Sequence, residues 1–222
     1  MRKILATIAL ASFCGSAAVT GLALTAARPA PQPEDGGMPQ IADDHPLAHI
    51  WAKAMDEEAS MEAWMRASAL GPAHEWLGQF IGAWDVTMTI NMGPEPMVTR
   101  GHTEYTWLME GRYLQDNLTS DFMGMPMSGY GISGFDNNRN QFVGIWMDSF
   151  STGISMMYGS LDPTGTILTQ VGTMDEPTTG EVGKAYMAVT TIIDEDHFRF
   201  EMKEILYGEA MTVMTIEYTR AD

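Results

Sequence analysis

After Gly82 the apolar residues of this chain stop recurring every ~3.6 positions and begin to alternate, and no other feature restricts the fold as much. From Trp84 to Met92, the residues Trp84, Val86, Met88, Ile90 and Met92 alternate with Asp85, Thr87, Thr89 and Asn91. A strand with one dry and one wet face reads this way. The pattern returns in Phe198, Phe200 and Met202, and again in Met214, Ile216 and Tyr218. Turn chemistry separates such runs: Gly93-Pro94, Glu110-Gly111, Asp136 to Asn140, Asp162 to Gly165, Glu176 to Gly180 and Tyr207-Gly208. The spacing predicts an all-β domain over residues 71–222, with about ten antiparallel strands. Short connections and the lack of helical spacers favour an up-and-down barrel.

Helical spacing is confined to the residues before Gly82. Asp43-Asp44-His45-Pro46 supplies a cap and an early proline, and Leu47, Ile50, Trp51 and Ala54 follow on one face. Met61, Trp64, Met65 and Ser68 continue the stripe, so residues 45–70 are expected to form one bent helix or two short ones laid on the barrel. After Gly71-Pro72, a short helix carries Trp76, Leu77 and Phe80 on one side. Residues 28–44, with RPAPQPEDGG at their start, read as a flexible linker.

The beginning of the chain points to export. Met1-Arg2-Lys3 and the apolar Ile4 to Ala27 form a signal peptide over residues 1–27, with Thr25-Ala26-Ala27 as the cleavage site. The run is also long enough to span a bilayer, so an uncleaved anchor is the alternative to a periplasmic or extracellular protein. Cys14 is the sole cysteine and falls within this segment. A cleaved chain therefore has neither disulfide nor cysteine nucleophile.

Net charge is −17, and −19 once residues 1–27 with Arg2 and Lys3 are removed. Such a surface repels phosphate backbones and anionic headgroups, which argues against nucleic acid and peripheral membrane partners. The sequence leaves oligomeric state open.

Several blocks carry a resemblance. Phe80-Ile81-Gly82-Ala83-Trp84-Asp85-Val86 resembles the Gly-x-Trp opening strand of lipocalins and their calycin relatives, and Ile216 to Arg220 resembles their last strand. The chain is similar more closely to the bacterial domain-of-unknown-function 1579 family. The matching blocks are Gly71 to Trp84, Gly111 to Gln115, Gly134-Phe135-Asp136, Trp146 to Ser149 and the Ile216 to Arg220 ending. The resemblance implies the barrel fold, with Arg220 covering Trp84 to close its base, and implies no activity. Barrels of the wider superfamily hold small apolar molecules or haem, and a few are enzymes.

Function is therefore sought in the lumen. The 20 methionines suit either an adaptable apolar cavity or ordinary core filling. Met88, Tyr130, Trp146, Met156 and Met214 are the expected ligand-binding residues, with His102 and Glu204 as polar anchors. His102 shares one face of its strand with Arg100 and Glu104, and Glu204 continues the register of Met202. Glu204, if inward, needs a partner such as Arg112 or Arg100. The leading expectation is a non-catalytic binder of a small apolar molecule. The alternatives are an isomerase, cyclase or hydrolase using His102 or Glu204 as acid or base, and a haem or nitric-oxide binder, which needs an inward histidine. No cofactor and no metal is expected. His45 and His49 lack a third ligand, and the thioethers of Met123, Met125 and Met127, which Cu(I) would suit, fit a hairpin mouth. Asp136 to Asn140 lacks the glycine and glutamate of a calcium loop.

Overall fold

The computed structural model describes residues 45–46, 48–91, 93–122, 124–206 and 209–221. The signal and linker segments expected over residues 1–44 lie outside them. Helix α1 spans Ala48–Met55 and α2 spans Glu57–Ser68. Asp56 caps α2 by accepting from the Ala59 N–H at 3.0 Å, with Glu57 and Glu58 in the positive first turn.

The apolar stripe expected to cover the barrel does not do so on α2. Met61, Trp64 and Met65 are 47%, 70% and 64% exposed. The end of the helix makes the polar attachment instead. Asn137 Nδ2 donates to the carbonyls of Arg66, Ala67 and Ala69 at 3.3, 3.0 and 2.7 Å, and Arg112 Nη2 donates to Ser68 O at 3.3 Å. A helix C-terminus leaves such carbonyls short of partners of its own, and here, among the described residues, only Arg66 O also accepts from the Ala69 N–H, at 3.4 Å.

Helix α3 (Pro72–Leu77) and a 3-10 turn (Gly78–Phe80) lead into ten strands. They are β1 (Gly82–Ile90), β2 (Met97–Leu108), β3 (Tyr113–Phe122), β4 (Met125–Asp136), β5 (Gln141–Asp148), β6 (Ser155–Leu161), β7 (Ile167–Glu176), β8 (Glu181–Ile192), β9 (His197–Leu206) and β10 (Glu209–Arg220). Each strand pairs antiparallel with the next, and β1 pairs with β10 to close the barrel without a free edge. The alternation seen in β1 becomes buried Trp84, Val86, Met88 and Ile90 facing the interior.

Closure of the base explains the Gly-x-Trp…Arg pattern. Trp84 is 1% exposed and donates its indole N–H to Phe80 O at 2.7 Å. The Arg220 guanidinium carbon stands 4.1 Å from the centre of the Trp84 ring. Gly82 has φ +118°, a region L side chains avoid, and a Cβ there would lie 3.2 Å from Arg220 Nη1. Above this seal Leu77 and Phe80 plug the lumen, and the Trp76 indole N–H ties the plug to Gly165 O of the β6–β7 turn at 2.9 Å.

Candidate ligand cavity

Between the plug and the opposite mouth the barrel holds a cavity of about 530 Å³. That volume lies within the usual range for small-molecule sites. Its walls are mainly apolar, including Met88, Leu118, Phe142, Phe200, Met202 and Met214. At the mouth, Phe150 and Ile154 of the β5–β6 connection reach the rim, and Phe150 meets Phe122 edge-on at 5.2 Å.

Glycines on the inner face create part of this space. A Cβ on Gly129 would fall 2.3 Å from the Trp146 ring, and one on Gly131 would fall 3.2 Å from the Asp116 Cβ. Trp146 therefore lies along bare backbone of β4, with its indole N–H donated to Asp148 Oδ2 at 3.0 Å. Gly172 gives the same clearance to the Tyr186 hydroxyl, which shares a 2.6 Å hydrogen bond with Ser155 Oγ.

One polar cluster stands deep in the apolar wall. Asp116 of β3 accepts a hydrogen bond from the Thr103 hydroxyl of β2 and neighbours Tyr105. Burial pushes the Asp116 carboxyl up to about 6, against the pull of Thr103 and Tyr105. Burial also drives the phenols of Tyr105 and Tyr218 upward, and the nearby Asp116 carboxylate adds to both shifts. Tyr218 stacks on Phe198 with ring centres 4.0 Å apart, which holds the cluster against the plug. Across the lumen, Gln170 of β7 is 7% exposed and lines the cavity, and among the described residues its carboxamide has no hydrogen-bond partner.

The structure separates the expected site residues. Met88, Trp146 and Met214 line the cavity. Met156 is 49% exposed on the outer surface, and Tyr130, one position out of the inward register of Gly129 and Gly131, donates its hydroxyl to Gln115 at 3.0 Å. The inward placement of His102 is overturned. Its Nδ1 meets Asp85 Oδ1 at 3.2 Å on the wet face, and the alternate residues Thr103 and Tyr105 turn inward. Glu204 is buried as its register implies, but its partner is Lys184 of the adjacent strand at 2.8 Å rather than an arginine, and it does not line the cavity. The acid–base pairing of His102 with Glu204 therefore has no common cavity. The haem alternative loses its ligand too, since among the described residues no histidine lines the lumen. His74 is buried elsewhere, its Nδ1 accepting from the Gly71 N–H at 3.2 Å.

Sequence reasoning passed over Asp116, Tyr105 and Gln170. The signal was present: Asp116 sits between Leu114 and Leu118, and Gln170 follows Leu168 by two, so each interrupts an apolar row on a dry face.

Ten up-and-down strands closed on themselves around a cavity define a lipocalin-like barrel. The chain belongs to the family described as protein of unknown function (DUF1579), whose model matches residues 69–220. No curated protein matches the chain. Among solved structures it is similar to the crystal structure of Rv2717c from M. tuberculosis, at 16% identity and TM-score 0.49, covering 69% of this chain and 100% of that one. It is also similar to a redesigned β-barrel, at 16% identity and TM-score 0.38, covering 70% and 100%. A de novo designed fluorescence-activating β-barrel matches at 11% identity and TM-score 0.38, covering 68% and 100%. None of these likenesses bears on the ligand.

Proposed function

We propose that this protein is an exported, non-catalytic carrier or sensor that encloses one small, largely apolar molecule in its barrel. The observation behind this reading is the cavity of about 530 Å³, apolar in its walls and interrupted by the Asp116 cluster. A site that is mostly apolar with a few convergent polar groups is the usual form of a small-molecule pocket. Export rests on the basic start and apolar run of residues 1–27, and the acidic composition accords with a protein that stays in solution there.

Catalysis is the second reading, and it passes to Asp116, whose carboxyl titrates near 6 beside two phenols. A single perturbed carboxyl in an apolar cavity supports binding more directly than any particular reaction.

Native mass spectrometry of the protein recovered from the envelope of its own host tests the proposal. The expected spectrum shows a one-to-one adduct released on activation, from a chain whose N-terminus begins near residue 28. Protein recovered without an adduct that also fails to take up apolar probes would overturn it.

A further inference from the structure

Taking the lumen as a binding site, we propose that its ligand is a lipophilic amine, held with its protonated nitrogen on Asp116 and its apolar body along the methionine and aromatic walls.

Charge inside the cavity carries this assignment. Three carboxylates line it, those of Asp116, Asp148 and Asp175, whereas no lysine, arginine or histidine does among the described residues. Asp148 is engaged by the Trp146 indole and the Phe150 N–H, and Asp175 lies exposed at the rim, where it accepts from the Gly183 N–H. Asp116 is the carboxylate placed deep among apolar side chains. A fatty acid would bring a second anion beside it with no cation to offset either charge. A protonated amine supplies the missing counter-charge, and the faces of Tyr105, Tyr218 and Trp146 attract cations further.

Gln170 points independently to an occupant. A carboxamide that is 7% exposed turns into the cavity four strands around from Asp116, its polar atoms open to the lumen and without a hydrogen bond to another described residue. A second polar atom on the ligand, or a water carried with it, would satisfy that group. Asp116 and Gln170 would then fix the two polar ends of a molecule whose middle is apolar.

The test compares dodecylamine, dodecanol and dodecanoic acid, each below its aggregation threshold, by isothermal titration into the full-length protein and its Asp116→Asn variant. A protein of net charge −17 gathers amines on its surface, so the titrations are run in high salt, where exposed charges are screened. The expected result is one-to-one binding of the amine about tenfold or more tighter than the acid, the scale of a desolvated charge pair. In Asp116→Asn, the amine should fall to about the affinity of the alcohol. Equal binding of all three, or an amine preference that survives in Asp116→Asn, overturns the assignment while leaving the barrel a binder of apolar molecules. Failure of all three to bind removes both readings. If the variant does not fold, the ranking of amine against acid on the native protein decides alone.

Discussion

Arg220 stacks its guanidinium over Trp84 while its two terminal nitrogens donate to the carbonyls of Ile81, Gln79 and Glu195, at 3.0, 3.2 and 2.9 Å. The last strand is thereby fastened to the first strand, to the plug and to the β8–β9 turn by a single side chain. Trp84→Ala should cost about 3–5 kcal/mol, as truncation of a fully buried aromatic does. Arg220→Lys keeps the charge but loses the planar fork, so it should fail to restore the stability lost in Arg220→Ala. Urea denaturation of the three variants provides the check. A midpoint unchanged by Trp84→Ala would contradict the closure.

The closure was legible because Gly82 and Trp84 open the barrel's sequence and Arg220 ends it, and period-two alternation set which face of β1 is dry. The interior chemistry was harder to read. On β2 both faces carry polar and bulky residues, so alternation alone does not say whether Arg100, His102 and Glu104 or Thr103 and Tyr105 face inward. Pairing decides it: Thr103 stands beside Trp84, and inward-facing residues must stack across neighbouring strands. Glu204 lay in the correct register, but its partner Lys184 is on a strand whose first residues show no apolar alternation and are exposed on both faces. The exposed stripe of α2 has a different cause. Helical periodicity specifies an apolar face without specifying what covers it.

Asp116 should make stability depend on pH in an unusual direction. Its carboxyl moves from 3.8 in the unfolded chain to about 6 in the barrel. As pH falls through 6, the native state takes up its proton before the unfolded state does, so the native state gains stability. Above 6 the buried anion costs up to ~3 kcal/mol, the two protonation states being separated by that shift. The groups facing it are Thr103 and Tyr105 from β2 and Tyr218 from β10, and no cation offsets it among the described cavity residues. Asp116→Asn should therefore raise the melting temperature near pH 8 and confer almost nothing near pH 4. An offset that is the same at both pH values would show that Asp116 does not titrate as described.

Lys184 and Glu204 form a pair of largely buried side chains, 14% and 11% exposed, with Nζ and Oε1 2.8 Å apart. Glu204 is the main reason the Lys184 amine is held above its ordinary pKa. Removing only the lysine leaves the Glu204 carboxylate, 11% exposed, without its cationic partner, whereas removing both leaves no unpaired charge. Lys184→Met should accordingly lower the melting temperature more than the double variant Lys184→Met with Glu204→Leu. Thermal melts at neutral pH compare them, and a double variant less stable than the single one would indicate that the pair itself is worth more than its desolvation.

Space for the ligand depends on Gly129 under the Trp146 ring. A Cβ built there lies 2.3 Å from the ring, whereas one on Gly131 meets only contacts of 3.2 Å and beyond. Gly129→Ala must push the indole inward and away from Asp148, at a cost of ~1–3 kcal/mol for an overpacked interior. The displaced ring would occupy the cavity, so uptake of an apolar probe should fall further than stability does. Gly131→Ala should disturb both much less, because its neighbours need to give by only a few tenths of an ångström. Tryptophan emission distinguishes the two, since loss of the 3.0 Å bond from the Trp146 indole to Asp148 should alter the spectrum in Gly129→Ala alone. Retained probe binding in a folded Gly129→Ala variant would place the ligand somewhere other than against Trp146.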